Sequence, residues 1–282
     1  MRVGSRGRAL HVELRGTGAP VLLLHGFTGS LRPLDATAAG LRAAGHATIA
    51  VDLLGHGRSD APRAPEAYTM ERCTQDLAAV LDAAGVRDAA VLGYSMGGRI
   101  ALGFACARPE RVRAAVLVGA SAGIADPVER AARRAADEAL AAAIERDGVA
   151  AFVERWMAQP LFASQARLGP EALARARRER LANRAAGLAG SLRGVGTGAQ
   201  PPLHEALARL ATPFLFVAGA EDPKFCAIAR ELAGRAPRGR AVVVPGAGHA
   251  AHLESPATFL AEACAFLRAL PDPEPTRPRR TP

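Results

Sequence analysis

Short uninterrupted apolar runs recur along the chain at 20–24 (PVLLL), 47–51 (ATIAV), 89–92 (AAVL), 114–118 (AAVLV), 213–217 (PFLFV) and 241–244 (AVVV). Each ends in a polar or glycine-containing turn. Runs that do not alternate with polar residues suit strands buried on both faces, as in a parallel sheet. Between them, the stretches 31–44, 70–84, 96–107, 224–235 and 256–269 carry helical periodicity. This alternation predicts an α/β fold, with a mostly parallel central sheet flanked by helices. Residues 9–14 (ALHVEL) fit an additional antiparallel strand at the start.

The alternation breaks between 123 and 205. That stretch is rich in Ala, Arg and Glu, keeps a helical period and has no strand-like run. It predicts a helical insertion between two strands. The chain then divides into a core at 1–122 and 206–270, a helical cap at 123–205 and a tail at 271–282. The tail, PDPEPTRPRRTP, has no apolar period and predicts disorder.

Composition narrows the function classes. With 49% apolar and 22% charged residues among 282, the chain can bury a large core without disulfide staples. Cys73, Cys106, Cys226 and Cys264 form no C-x-x-C pair and no metal-ligand spacing, so reduced and mostly buried thiols are expected. The N-terminus lacks the apolar core of a secretory signal, and no run is long enough to span a bilayer. A cytoplasmic protein is the expectation, and nothing signals an oligomeric state. The net charge of +9 invites a nucleic-acid reading. Lys224 is the only lysine, however, and the arginines are scattered without interleaved aromatics. A nucleic-acid binder would show a stripe or a known module. Small anionic ligands fit these arginines better.

The strongest chemical signal is Gly93-Tyr94-Ser95-Met96-Gly97-Gly98, between an apolar run and a helical segment. A nucleophile elbow needs this strand–turn–helix context. It lifts the Ser95 hydroxyl above the sheet and sets the Met96 amide at a helix N-terminus, where it can stabilise an oxyanion. A second amide should come from a loop after an early strand. Phe27, in His25-Gly26-Phe27-Thr28-Gly29, is placed to give it. The serine needs a base from a loop after a late strand. His249, in Gly246-Ala247-Gly248-His249, fits, whereas His252 is better placed to cap or pack before Pro256. The acid should follow the preceding strand, where Glu221 and Asp222 stand. Asp222 could equally be the N-cap of the helix that follows. His25, Asp52 and His56 read as loop-shaping residues.

On LHGFTGS, DLLGHGRSD, GYSMGG and GAGH, residues 10–269 resemble the α/β-hydrolase fold superfamily, in which helical caps are commonly inserted between sheet strands. Ser95 argues against the branches that use aspartate at that position, such as haloalkane dehalogenases and epoxide hydrolases. A narrower resemblance is to the 2-succinyl-6-hydroxy-2,4-cyclohexadiene-1-carboxylate synthases of menaquinone biosynthesis. It rests on GYSMGGR (93–99), GASAGIADPVERAARRAAD (119–137), WMAQPLFAS (156–164), RLANRAAGLAGSLRGVGTGAQPPL (180–203), EDPKF (221–225) and GAGHAAHLESP (246–256). The cap matches matter most, because caps vary most across the superfamily.

The resemblance places the acid at Asp222. It implies a lyase without metal or organic cofactor, eliminating pyruvate from 2-succinyl-5-enolpyruvyl-6-hydroxy-3-cyclohexene-1-carboxylate, with Ser95, His249 and Asp222 acting as a base. It also implies substrate contacts from Tyr94, Arg99, Arg133, Trp156 and Arg180, the arginines clamping carboxylates. Other readings stand beside these. Arg133 could pair with Glu129 or Asp137 along its helix, and Arg130 and Arg134 compete for its role. Arg180 lies among Arg175, Arg177 and Arg178, Trp156 could be cap core, and Lys224 could brace the acid's loop. A serine carboxylesterase or carbon–carbon bond hydrolase would use the same three residues. A receptor that kept the fold would be expected to lose one of them.

Overall fold

The structure is a computed structural model that describes residues 1–271. Eight strands form one sheet in the order β1-β2-β4-β3-β5-β6-β7-β8. They are β1 (Arg2–Ser5), β2 (Arg8–Arg15), β3 (Ala19–Leu24), β4 (His46–Val51), β5 (Ala89–Tyr94), β6 (Val112–Val118), β7 (Phe214–Gly219) and β8 (Gly239–Val244). β1 and β2 pair antiparallel, as do β2 and β4, and every other neighbouring pair is parallel. The six apolar runs are β3 to β8, and 9–14 lies within β2. β1 has no counterpart in the sequence reading: it is a four-residue edge strand, RVGS, with only Val3 as an apolar residue. The predicted tail lies, apart from Pro271, outside the described residues.

Helices cover both faces of the sheet. One core cluster joins it to α2 (Met70–Ala83), α3 (Met96–Ala107) and, across the insertion, the helix Pro223–Arg235. The other joins it to α1 (Asp35–Ala43) and to the last helix, Pro256–Arg268. Burial on both faces explains why β7 is buried at every position and β3 at its last four. Three of the cysteines are buried, Cys106 is half-buried, and all four are free.

The insertion between β6 and β7 is helical, as the sequence predicts. It comprises α4 (Pro127–Met157), a stretch of 3-10 turns, α5 (Pro170–Leu181) and α6 (Ala185–Val195). After it come α7 (His204–Leu207), α8 (Pro223–Arg235), α9 (Ala251–Glu254) and α10 (Pro256–Arg268). Asp126 caps α4 by accepting from the Glu129 amide at 2.7 Å, with Pro127 in the first turn. Gly148, at φ 83°, breaks α4 into two. The cap has its own small core of Ile144, Phe152, Val153, Leu188 and Leu192, against which Phe27 and Trp156 pack.

The cap docks through a row of glycines on α6. A Cβ on Gly187 would lie 2.0 Å from the Gly55 carbonyl oxygen, and one on Gly190 would lie 2.3 Å from the Tyr68 ring. Tyr68 is fully buried there and donates its hydroxyl to the Pro62 carbonyl at 2.7 Å. Residues three and four apart share one helix face, so these glycines open one continuous slot. Gly187→Ala should force α6 off the loop at Gly55 and cost about 1–3 kcal/mol. In calorimetry the melting temperature should fall by about 3–8 °C. An unchanged value would mean that the helix lifts without penalty.

Candidate active site

The carboxyl ends of β3, β5, β6, β7 and β8 open on one edge of the sheet, where open α/β folds place their sites. Ser95 stands at the turn between β5 and α3, with φ 51° and ψ −111°. A non-glycine residue there is strained, and its surroundings must hold it. The Ser95 amide donates to the Val118 carbonyl at 2.8 Å. Two glycines allow the turn to close. A Cβ on Gly93 would sit 2.4 Å from the Gly97 oxygen, and one on Gly97 would sit 2.4 Å from the Leu24 oxygen.

Behind Ser95 runs a chain of hydrogen bonds. The Ser95 Oγ lies 3.1 Å from the His249 Nε2, and the His249 Nδ1 lies 2.9 Å from the Asp222 Oδ2. The carboxylate accepts a hydrogen bond from Nδ1–H, which leaves the Nε2 lone pair facing the serine hydroxyl. His249 and Asp222 are buried, and the Phe225 and Tyr94 rings pack on the imidazole at 4.6 and 5.5 Å. Asp222 makes a different contact through each of its oxygens. Oδ2 meets His249, while Oδ1 accepts from the Phe225 amide at 3.2 Å and caps α8. Gly119 makes room for the histidine, since a Cβ there would lie 2.9 Å from its Cε1.

The rival histidines are elsewhere. His252 is buried with its ring 4.5 Å from the Tyr94 ring, and burial together with neighbouring His249 pushes its pKa down to about 3. It packs and does not reach Ser95. The His25 Nε2 accepts from the Leu53 amide at 3.0 Å, and its Nδ1–H donates to the Gly26 carbonyl at 2.8 Å. Asp52 accepts from the Leu31 and Arg58 amides at 2.7 and 2.9 Å. Both therefore shape loops, as their sequence context suggests.

A cavity of about 680 Å³ lies over Ser95, between core and cap, and Phe27, Met96, Tyr94, Trp156, Arg99, Arg133 and Arg180 all line it. The Phe27 and Met96 amides donate to no other group among the described residues. Arg99 reaches from α3 to the cap, donating to the Val195 carbonyl at 2.8 Å and to the Gln200 Oε1 at 2.9 Å. Burial, and next the nearby Arg133, bring its pKa down to about 10. Arg133 pairs with Asp137 at 2.8 Å rather than with Glu129, and still faces the cavity. Its competitors turn away: Arg130 binds the Ile124 carbonyl and Arg134 the Gly198 carbonyl. The Arg180 guanidinium sits 5.8 Å from the Phe162 ring centre, and burial lowers its pKa. Trp156 packs on Phe27 and Phe152 and also walls the cavity. Lys224 lies exposed at the rim. Among the described residues, no group of three or more His, Cys, Asp or Glu is arranged to hold a metal ion.

Two residues at this site have no signal in the sequence reading. The Glu254 carboxylate accepts from the amides on either side of His249, from Gly248 at 2.8 Å and Ala250 at 3.1 Å. Arg167, from the cap, binds Glu221 at 2.9 Å and the Gly246 carbonyl at 3.3 Å, which ties the acid loop to the histidine loop. Neither belongs to a periodic pattern.

Comparison with known proteins places this geometry. The α/β hydrolase fold family matches residues 19–256. A Bacillus subtilis (strain 168) protein provisionally named 2-succinyl-6-hydroxy-2,4-cyclohexadiene-1-carboxylate synthase is 43% identical over 85% of this chain and 86% of its own. A Serratia proteamaculans (strain 568) protein of that name is 34% identical over 88% of this chain and 92% of its own. The chain belongs to the 2-succinyl-6-hydroxy-2,4-cyclohexadiene-1-carboxylate synthase family. The structure of MenH from S. aureus superimposes with a TM-score of 0.87 at 30% identity, covering 92% of this chain and 98% of that one. The sheet, the inserted cap and the cavity between them are thus set in a family of enzymes on the α/β hydrolase fold.

Two outcomes follow for this member of the family. Glu254→Gln leaves one carbonyl acceptor and turns an amide NH₂ toward a backbone N–H. His249 should lose its fixed position, with kcat falling about 10–100-fold and KM little changed. Equal fall in a distant destabilised variant would count against a positioning role. Acid should also unfold the protein early. His25, His56 and His252 are held by burial at pKa values of about 4, 3 and 3, against 6.5 for an ordinary histidine. Between these values the unfolded chain binds more protons, so stability is full above the ordinary value and is lost as pH falls. A pH series of melting temperatures should show this, with a shallower decline in His252→Leu.

Proposed function

We propose that the cavity binds 2-succinyl-5-enolpyruvyl-6-hydroxy-3-cyclohexene-1-carboxylate and eliminates pyruvate from it, giving 2-succinyl-6-hydroxy-2,4-cyclohexadiene-1-carboxylate. One observation carries this reading: three guanidinium groups, Arg99 and Arg180 half-buried and Arg133 more exposed, line the cavity that contains a hydrogen-bonded serine, histidine and aspartate. A substrate with three carboxylates suits three arginines, and a simple ester does not require them.

Ser95, deprotonated by His249, takes a proton from the substrate ring. The electron pair of that C–H bond passes onto an adjacent carbonyl, whose oxygen meets the Phe27 and Met96 amides. It then returns to form the ring double bond as the C–O bond to the enolpyruvyl group breaks. The leaving enolate recovers a proton from the site and tautomerises to pyruvate. Asp222 holds the histidine tautomer and stabilises the imidazolium formed on the way. Tyr94 and Trp156 wall the ring, while Arg99, Arg133 and Arg180 take the carboxylates. The ligand is a small anion, with no part for nucleic acid, and we place the reaction in the cytoplasm. Among the described residues no helix is long and apolar enough to cross a membrane.

The test is pyruvate release in a coupled assay. Wild type should turn over, Ser95→Ala should lose at least about a thousandfold in kcat, and Arg133→Ala should raise KM about 10–100-fold. Rapid cleavage of a short p-nitrophenyl ester without pyruvate release would replace this reading with a serine hydrolase.

A further inference from the structure

Beside the cavity over Ser95 lies a second one of about 530 Å³. Phe27, Tyr94 and Arg180 line both, so these three side chains form a shared wall. The far side is largely small and apolar, with Ala36, Ala172 and Ala176 among its lining. Two buried polar side chains nevertheless border it without partners among the described residues. Gln165 is 5% exposed and its Nε2 has no acceptor, and His252 is 2% exposed with neither ring nitrogen bonded. The Arg180 Nε in the shared wall is also unpartnered. A buried donor left without an acceptor costs about 1–3 kcal/mol, and native proteins keep few of them. Three such groups around one space suit acceptor oxygens brought by a ligand.

Charge favours an anion there. Arg32, Arg175 and Arg180 face the cavity against Asp35 and Glu179. Arg32 is already engaged by Glu13 and Asp35 at 3.1 and 3.6 Å. Neither Arg175 nor Arg180 makes an ion pair with a carboxylate among the described residues, and of the two Arg180 stands in the shared wall.

We propose that this second cavity is an exit compartment for the small α-keto acid that the elimination releases. The inference rests on the elimination reading above. Pyruvate carries a carboxylate, a keto oxygen and a methyl group. Arg180 holds the carboxylate from either side of the wall, the Gln165 amide donates to the keto oxygen, and the alanines receive the methyl. The larger ring product stays on the Ser95 side with Arg99 and Arg133. The two products then separate without passing one another.

Saturation-transfer NMR on the methyl protons of sodium pyruvate, added to the full-length protein, tests this. Transfer should occur and should persist when the ring product is present at saturation. Gln165→Leu removes the free donor and Ala176→Phe fills the space. Each should weaken pyruvate binding at least about tenfold. The proposal is overturned if wild type binds no pyruvate, if the ring product abolishes the transfer, or if both folded variants bind as wild type does. Pyruvate release measured on the same preparations separates the two ideas. Release with a failed binding test removes the compartment alone, and no release removes the elimination and the compartment together.

Discussion

Ser95 is held in a conformation that an L-residue avoids, φ 51° and ψ −111°, and much of the site follows from what holds it. Such a residue costs about 1–3 kcal/mol. It persists because β3, β5 and β6 are neighbours in that order. Their adjacency brings the Leu24 oxygen against Gly97 and the Val118 oxygen onto the Ser95 amide. The same adjacency sets the Phe27 loop, at the end of β3, beside the start of α3. Strand order therefore determines which loops border the serine. A helix-sized side chain at Gly93 or Gly97 would open the turn.

The histidine is held differently. No strained residue fixes it, and its loop follows β8 near the sheet edge. Glu254 instead clamps the amides on both sides of His249, and Asp222 splits its oxygens between imidazole and helix. Charge-assisted hydrogen bonds to a buried carboxylate are worth about 1.5–3 kcal/mol each. The Arg167–Glu221 pair is exposed at both ends, and such pairs contribute little. The buried clamp thus decides the position of the loop. The cap's arginine adds registration more than strength.

The sequence made the parallel core legible because β3, β5, β6 and β7 are buried on both faces and read as unbroken apolar runs. β1 was not legible, since a four-residue edge strand with one apolar side chain carries no period. Ser95 and His249 could be found because the elbow needs glycines at fixed spacing and because topology orders the partners. Asp222 is ambiguous in the sequence for a physical reason: one carboxylate makes both contacts, to His249 and to the Phe225 amide, and composition cannot separate two oxygens. Arg133 was ambiguous in the same way, pairing with Asp137 while facing the cavity. The Gly148 break in α4 has no sequence signature, because the flanking residues keep a helical period. The second cavity is invisible in the sequence, as its walls come from 25–36, Tyr94, 165–180 and 252–256, positions that only the fold brings together.

The two arginines at one end of the cavity carry the argument about substrate charge furthest. Arg99 is bound by two neutral acceptors, the Val195 carbonyl and the Gln200 amide, so its hydrogen bonds position it without neutralising it. Asp137 directly pairs with Arg133 and is itself anchored by the Gly198 amide at 3.0 Å. One carboxylate thus serves two guanidinium groups, and burial first, then the neighbouring Arg133, lowers the pKa of Arg99. A buried cation without a full counter-ion costs stability, and a neutral ligand would leave that cost in place. A carboxylate-bearing substrate removes it on binding. The preorganised guanidinium groups need no reorganisation to receive it, which is how fixed charges act most strongly in a site shielded from water.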